Sequence, residues 1–316
     1  MVPVFIAGCG RSGTTLLGAM LGAHTECLCI PELPFKVDIF SYLQRTEKIK
    51  ATDIMNKIRR NWRFQIWGLD ITSPPLASGE VTSLEILEWI IKRYGQKVGK
   101  PNPSIWVDHT NNNIKYFSLL YEYFPNARMI HLVRDGRAVA ASIIPLDWGP
   151  NTIDRAACFW MKRELRALAM ETLWKTRAIR IRFEDLLHEP EATLRGLCSF
   201  LGIDFQSRML RGSGFKVPRY TSDQHSLVGK ELDTSRADGW EKKLTPRQVE
   251  IFESITGDVL LSYGYTLKFN LLAKKMTGME KLGFDIQETV KRRINKFRRR
   301  HRRKKGIEMA ALFSDS

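Results

Sequence analysis

Val2-Pro3-Val4-Phe5-Ile6-Ala7-Gly8-Cys9-Gly10-Arg11-Ser12-Gly13-Thr14-Thr15 is the stretch from which the architecture follows. Val2–Ala7 is a short apolar run stopped by a glycine, the pattern of a buried strand. From Thr14 to Ala23 the chain is rich in Leu, Ala and Met, which predicts a helix. Between the two, Gly8 and Gly13 stand at the spacing of a phosphate loop, G-x-x-x-x-G. Glycines there let backbone N–H groups turn inward, and the positive end of the following helix points at the anion. Ser12, Thr14 and Thr15 add hydroxyl donors, and Arg11 adds a permanent cation. A nucleotide hydrolase would carry Lys after the second glycine, where it serves the β/γ-phosphates beside Mg²⁺. Here that position is Thr14, which counts against ATP and GTP chemistry. A plain Gly-rich strand-to-helix turn is the bland alternative.

Further strands are expected at Ile105–Val107, Met129–Val133 and Ile179–Phe183. Helical periodicity or composition marks Thr82–Val98, Ile114–Tyr123, Gly136–Ile144, Arg155–Trp174 and Pro190–Leu201, with another helix starting at Thr245-Pro246. Phe35–Ile66 is of mixed helical periodicity, and Asp70–Ser78 breaks the pattern. Alternating strands and helices imply an α/β fold of three layers, a P-loop-like parallel sheet flanked by helices on both faces. Ligands in such folds bind at the carboxyl ends of the strands. Three such ends carry unusual polar residues: Gly8–Thr15, Asp108-His109-Thr110 and Arg134-Asp135.

The 316 residues carry a net charge of +16, and it is unevenly placed. Residues 291–316 hold eleven Lys or Arg against Glu308 and Asp315, so +9 of the total sits there. The expected division is a main domain at 1–285 and a basic C-terminal helix or tail at 286–316. The moderate excess in the body suits an anionic ligand. The tail's charge suits an acidic membrane surface or a polyanion. Val290, Ile294 and Phe297 follow helical spacing there, as in an interfacial amphipathic helix. Five cysteines without metal-ligand spacing read as a reduced compartment. With no signal-peptide pattern at the N-terminus, a cytoplasmic protein is expected, membrane-peripheral if the tail finds lipid. No metal site is expected.

Two motifs together resemble the PAPS-dependent sulfotransferases, in the branch holding tyrosylprotein sulfotransferases and bacterial relatives. The first is Arg11-Ser12-Gly13-Thr14-Thr15. The second is Val133-Arg134-Asp135 with Ser142 eight residues after the arginine. The resemblance implies that Arg11, Ser12, Gly13, Thr14 and Thr15 grip the 5′-phosphosulfate of PAPS. It implies that Arg134 and Ser142 bind the 3′-phosphate. Eight helical residues span about 12 Å, so Arg134 would have to reach towards Ser142. Arg137 either supports the site or faces solvent.

On the acceptor side the resemblance puts Glu32, in Cys29-Ile30-Pro31-Glu32, at the position of the catalytic base. His109 stands where relatives carry a lysine, and could assist transfer or share the base role. Phe183 replaces a nucleotide-contacting tyrosine. Arg236 and Lys230 are candidates for the 3′-phosphate or adenine, and Trp240 for the core. The implied activity moves a sulfonate from PAPS to a hydroxyl or amine and releases PAP, with Arg11 covering charge and no metal needed. The acceptor stays open among small molecules, glycans, lipids and peptides. The oligomeric state is not legible. The competing readings are a P-loop-type phosphotransferase using ATP and a nucleic-acid-binding protein driven by the tail.

Overall fold

A computed structural model describes residues 1–36, 40, 48–69, 79–225 and 227–311. The Asp70–Ser78 stretch lies outside these residues, as do 37–39 and 41–47 of the Phe35–Ile66 stretch. Among the described residues there are seven strands: β1 (Val2–Ala7), β2 (Cys27–Ile30), β3 (Ile49–Lys50), β4 (Glu80–Val81), β5 (Ile105–Asp108), β6 (Arg128–Val133) and β7 (Ala178–Arg182). Five of them form a sheet in the order β2-β5-β1-β6-β7. Every pairing in that sheet is parallel. β3 and β4 form a separate two-residue antiparallel ladder.

The principal helices are α1 (Thr14–Gly22), α2 (Ala51–Arg60), α3 (Ser83–Lys97), α4 (Phe117–Tyr123), α5 (Gly136–Ile143), α6 (Ile153–Trp174), α7 (Pro190–Leu201), α8 (Pro246–Ser262) and α9 (Gly278–Ala311). α3 and α8 each start in a complete capping box, Thr82 with Glu85 and Thr245 with Gln248.

Alternate residues of a strand face opposite sides of its sheet, and β1 shows the consequence. Phe5 and Ala7 join a core with Ile86 and Ile90 of α3, Leu120 of α4 and Met170 of α6. Val4 and Ile6 join the opposite core, with Leu17 and Met20 of α1 and Leu194 and Leu197 of α7. Both faces of the sheet are covered, so the three-layer expectation is met. The edge strand β2 was not expected. Its four residues are all buried, but so short a run carries no period.

α9 is one helix of 34 residues, and it starts before residue 286. It docks on the segment that links α5 to α6. The Asn295 amide donates to Asn151 Oδ1 at 2.6 Å and to the Leu146 carbonyl at 3.4 Å. Arg302 donates twice to Asp147, at 2.8 and 3.1 Å. Glu288 accepts from the Asn151 backbone at 2.8 Å. Among the described residues no helix is long and apolar enough to cross a membrane.

Candidate active site

β1 delivers the chain into the loop between Gly8 and Thr14. Arg11 (φ 78°) and Gly13 (φ 94°) both take the left-handed conformation. A glycine adopts it without steric cost, whereas Arg11 is held there by its surroundings. A side chain at Gly13 would also place its Cβ 2.5 Å from the Phe183 ring. At Gly8 a Cβ would fall 2.5 Å from the Leu132 carbonyl, so the loop lies directly on β6. α1 begins at Thr14 with no side chain capping its first turn. Its leading N–H groups therefore remain for an anion.

The loop opens onto a cleft of about 680 Å³ at the carboxyl ends of the central strands. Arg11, Gly13, Thr14 and Thr15 line it, as do Glu32, His109, Arg134 and Arg236. Ser12 lies behind the loop, fully buried, and Ser142 also stands back from the cleft surface. Lys230 is exposed and not part of the wall.

In one half of the cleft the arginines support one another through backbone carbonyls. Arg134 donates to the Arg11 carbonyl at 2.9 Å and to the Arg236 carbonyl at 2.7 Å. Its guanidinium lies 4.4 Å from the centre of the Phe183 ring. Burial lowers the Arg134 pKa to about 10. Arg11 Nε donates to Ser142 Oγ at 3.1 Å, and a terminal nitrogen donates to the Gln224 carbonyl at 2.8 Å. Burial, with Arg236 nearby, also holds Arg11 below the usual guanidinium value. Ser142 is therefore reached by Arg11, not by Arg134 as the spacing suggested. The guanidinium of Arg134 is committed to two carbonyls, while the left-handed turn at Arg11 places that side chain within reach of α5.

Arg137 neither lines the cleft nor faces solvent. It is buried in ion pairs with Asp135 and Glu253, both at 2.7 Å, and stacks on Trp240. Trp240 is a core residue, as expected.

The other half of the cleft is built around β5 and the turn after β2. Glu32 lines the wall and is ion-paired with Arg63, and the Trp67 indole donates to the Glu32 carbonyl at 3.4 Å. His109 is buried, with Nδ1 3.4 Å from Thr15 Oγ1 and its ring against Phe215. Burial pushes the His109 pKa below the ordinary imidazole value, more than Glu32 and Asp108 raise it. Asp108 points away, into a buried ion pair with Lys36 at 2.5 Å. It also accepts from the Thr110 hydroxyl and backbone N–H, and Thr110 Oγ1 accepts the Leu33 N–H at 2.7 Å. That network fixes the turn on which Glu32 sits.

Residues 3–207 match the family model described as "Sulfotransferase family". The chain belongs to the sulfotransferase family. It is 26% identical over 246 residues to protein-tyrosine sulfotransferase A of Caenorhabditis elegans, covering 74% of this chain and 56% of that protein. It is 28% identical over 221 residues to the protein-tyrosine sulfotransferase of Drosophila melanogaster, covering 67% and 40%. The chain thus spans about half the length of these curated relatives. Among solved structures, the sulfotransferase domain of the Synechococcus PCC 7002 olefin synthase shares its fold. The TM-score is 0.62 at 22% identity, over 84% of this chain and 95% of that one. The sulfotransferase domain from the curacin biosynthetic pathway does so with a TM-score of 0.56 at 21% identity, over 84% and 98%.

Several cleft residues carry no sequence signal. Arg163 comes from α6, Gln224 and His225 from the end of the 3₁₀ turn Arg219–Gln224, and Arg63 from the short helix Trp62–Gln65 that follows α2. Burial, then the nearby Arg11, lowers the His225 pKa to about 3. Trp148 stands over Gly10 and donates to Gln224 Oε1 at 3.2 Å. Arg299 and Arg302 of α9 complete the rim.

The cleft fits an anionic ligand. Three of its lining residues present buried atoms without partners among the described residues, Arg134 Nε, Arg163 Nε and His109 Nε2. Buried polar atoms of this kind are costly unless a ligand or water completes them. Arg134 and His109 follow β6 and β5, on opposite sides of a loop whose backbone and helix end favour an anion.

Proposed function

We propose that this chain transfers a sulfonate from PAPS to a hydroxyl or amine and releases PAP. The observation that carries the reading is the loop Arg11–Thr15. Two left-handed residues and an uncapped α1 face a cleft that also holds Arg134 and Arg236. The curated names of the worm and fly relatives support it. PAPS supplies an activated sulfonate on a phosphate leaving group. Arg11 and the loop N–H groups would hold the phosphosulfate end. Arg134 and Ser142, the latter through Arg11, would hold the 3′-phosphate end, with Arg236 beside them.

Glu32 is proposed as the base that accepts the acceptor's hydroxyl proton while the oxygen bonds to sulfur and the bond from sulfur to the leaving oxygen breaks. Arg63 positions that carboxylate. His109, through Nε2, would donate to or accept from the transferring group. Catalysis on this plan is mainly positioning and charge stabilisation. The acceptor is proposed as a small molecule, glycan or peptide. Beyond the ion pairs of Arg63 with Glu32 and Arg302 with Asp147, the cations of Arg163 and Arg299 favour one bearing negative charge. We further propose residues 1–285 as the transfer unit, α9 as its basic appendage, and the cytoplasm as its compartment.

Calorimetry with PAP and transfer from labelled PAPS into a cell extract test the proposal. Saturable PAP binding and a labelled product are expected. Failure to bind PAP would overturn it, and Mg²⁺-dependent ATP turnover would restore the phosphotransferase reading.

A further inference from the structure

α9 has two faces, and among the described residues only one packs against the rest of the chain. Asn295, 7% exposed, marks the docked face. On the opposite face Met279, Leu282, Ile286, Val290, Ile294 and Phe297 are between 47% and 87% exposed. Steps of three and four residues place these six side chains in one stripe about 120° wide. Arg293 and Arg300 run along one margin of the stripe, Lys291 and Arg298 along the other, and all four are exposed. So large an apolar stripe left open among the described residues marks an interaction surface.

Three occupants make different demands. A second copy of α9 in a coiled coil needs a seam repeating every 3.5 residues. Continued from Met279, Leu282 and Ile286, that seam puts Thr289 and Arg293 in the next core positions. It would also bring two strongly cationic segments together. A nucleic acid would engage the cations but leave the stripe in water. An anionic bilayer satisfies both features. The apolar side chains enter the boundary between headgroups and acyl chains, and the flanking Lys and Arg meet the headgroups.

We propose that α9 seats the protein on the surface of an anionic lipid bilayer, lying in its plane with the Met279–Phe297 stripe inserted. Arg299 and Arg302, which line the cleft, belong to the same helix. The bilayer surface is then about one helix diameter, roughly 10 Å, from the cleft wall. The proposal does not depend on the sulfonate-transfer reading, because its test needs no turnover.

The full chain is sedimented with vesicles of phosphatidylcholine, and with vesicles in which about a third of the lipid is phosphatidylserine. Partition onto the anionic vesicles is expected to exceed that onto neutral ones by about tenfold and to fall as salt is added. The double variant Ile294→Ser/Phe297→Ser touches only the exposed face. It should lower partition about tenfold while leaving Tm unchanged. No binding of the full chain to anionic vesicles would overturn the proposal. So would a double variant that binds as well as the parent, since charge alone would then suffice. Tighter binding to duplex DNA than to vesicles would overturn it in favour of a polyanion. A dimer by sedimentation velocity that is lost in the double variant would assign the stripe to a second copy.

Discussion

Arg11 Nε donates to Ser142 Oγ across 131 residues of sequence, so one hydrogen bond ties the loop after β1 to the helix after β6. Ser142 therefore acts by holding an arginine that itself lines the cleft. Ser142→Ala should weaken PAP binding by about 1 kcal/mol, roughly fivefold, through loss of one hydrogen bond. Arg134→Ala should cost more, because it also strips the donor from the Arg11 and Arg236 carbonyls. Calorimetry with PAP ranks the two variants, and equal small losses would show that the carbonyl contacts are incidental.

Gly13 is constrained twice, by its φ of 94° and by the Phe183 ring 2.5 Å from where a Cβ would stand. Gly13→Ala should lower Tm by several degrees, since the left-handed conformation costs an alanine about 1–2 kcal/mol before any clash. Adding Phe183→Ala removes the clash and leaves the backbone cost. PAP affinity should therefore stay depressed in the double variant. Full recovery would mean that the ring alone demands glycine.

Glu32 and the residues proposed to bind the donor occupy different halves of the cleft. Glu32→Gln should lower kcat by about a hundredfold or more and leave PAP affinity within about twofold. Single-turnover transfer alongside PAP calorimetry separates the two quantities. A loss of PAP affinity beyond about tenfold would place Glu32 among the donor contacts instead.

Burial depresses the pKa of His109 from its ordinary value of 6.5. A group so shifted stays neutral as pH falls through the ordinary imidazole range and gains its proton only below it. If neutral His109 is needed, the acid limb of kcat/KM set by His109 should lie below pH 6.5. That limb should vanish in His109→Gln. An acid limb that persists unchanged in the variant would belong to another group.

Much of the sheet is legible in the sequence because Val2–Ala7, Ile105–Val107 and Met129–Val133 are apolar runs bounded by turn residues. β2 escapes because Cys27–Ile30 is too short to show a period and lacks a strong turn signal. Within the cleft, spacing brings Arg11, Glu32, His109, Arg134 and Arg236 to one place through the strand ends that carry them. Spacing could not show which arginine meets Ser142, since that depends on the backbone sign at Arg11. Arg163 and His225 are missed for a different reason. A charged residue on an amphipathic helix, or a histidine in a loop, is normally solvated, and only tertiary packing turns these two inward. Arg299 and Arg302 are hidden among identical neighbours. The docking of Asn295 and the pairing of Arg302 with Asp147 set the helical phase that selects them.

The pairing of Arg302 with Asp147 makes the entrance of the cleft depend on the last turns of α9. A protease cutting after Arg293 would release a short basic peptide and leave the sheet, the loop and the Arg134 contacts as they are. The remaining protein would still hold its donor half but would have lost two cations from its doorway. Selection among acceptors could then be edited by a single cleavage, far in sequence from every motif that defines the family.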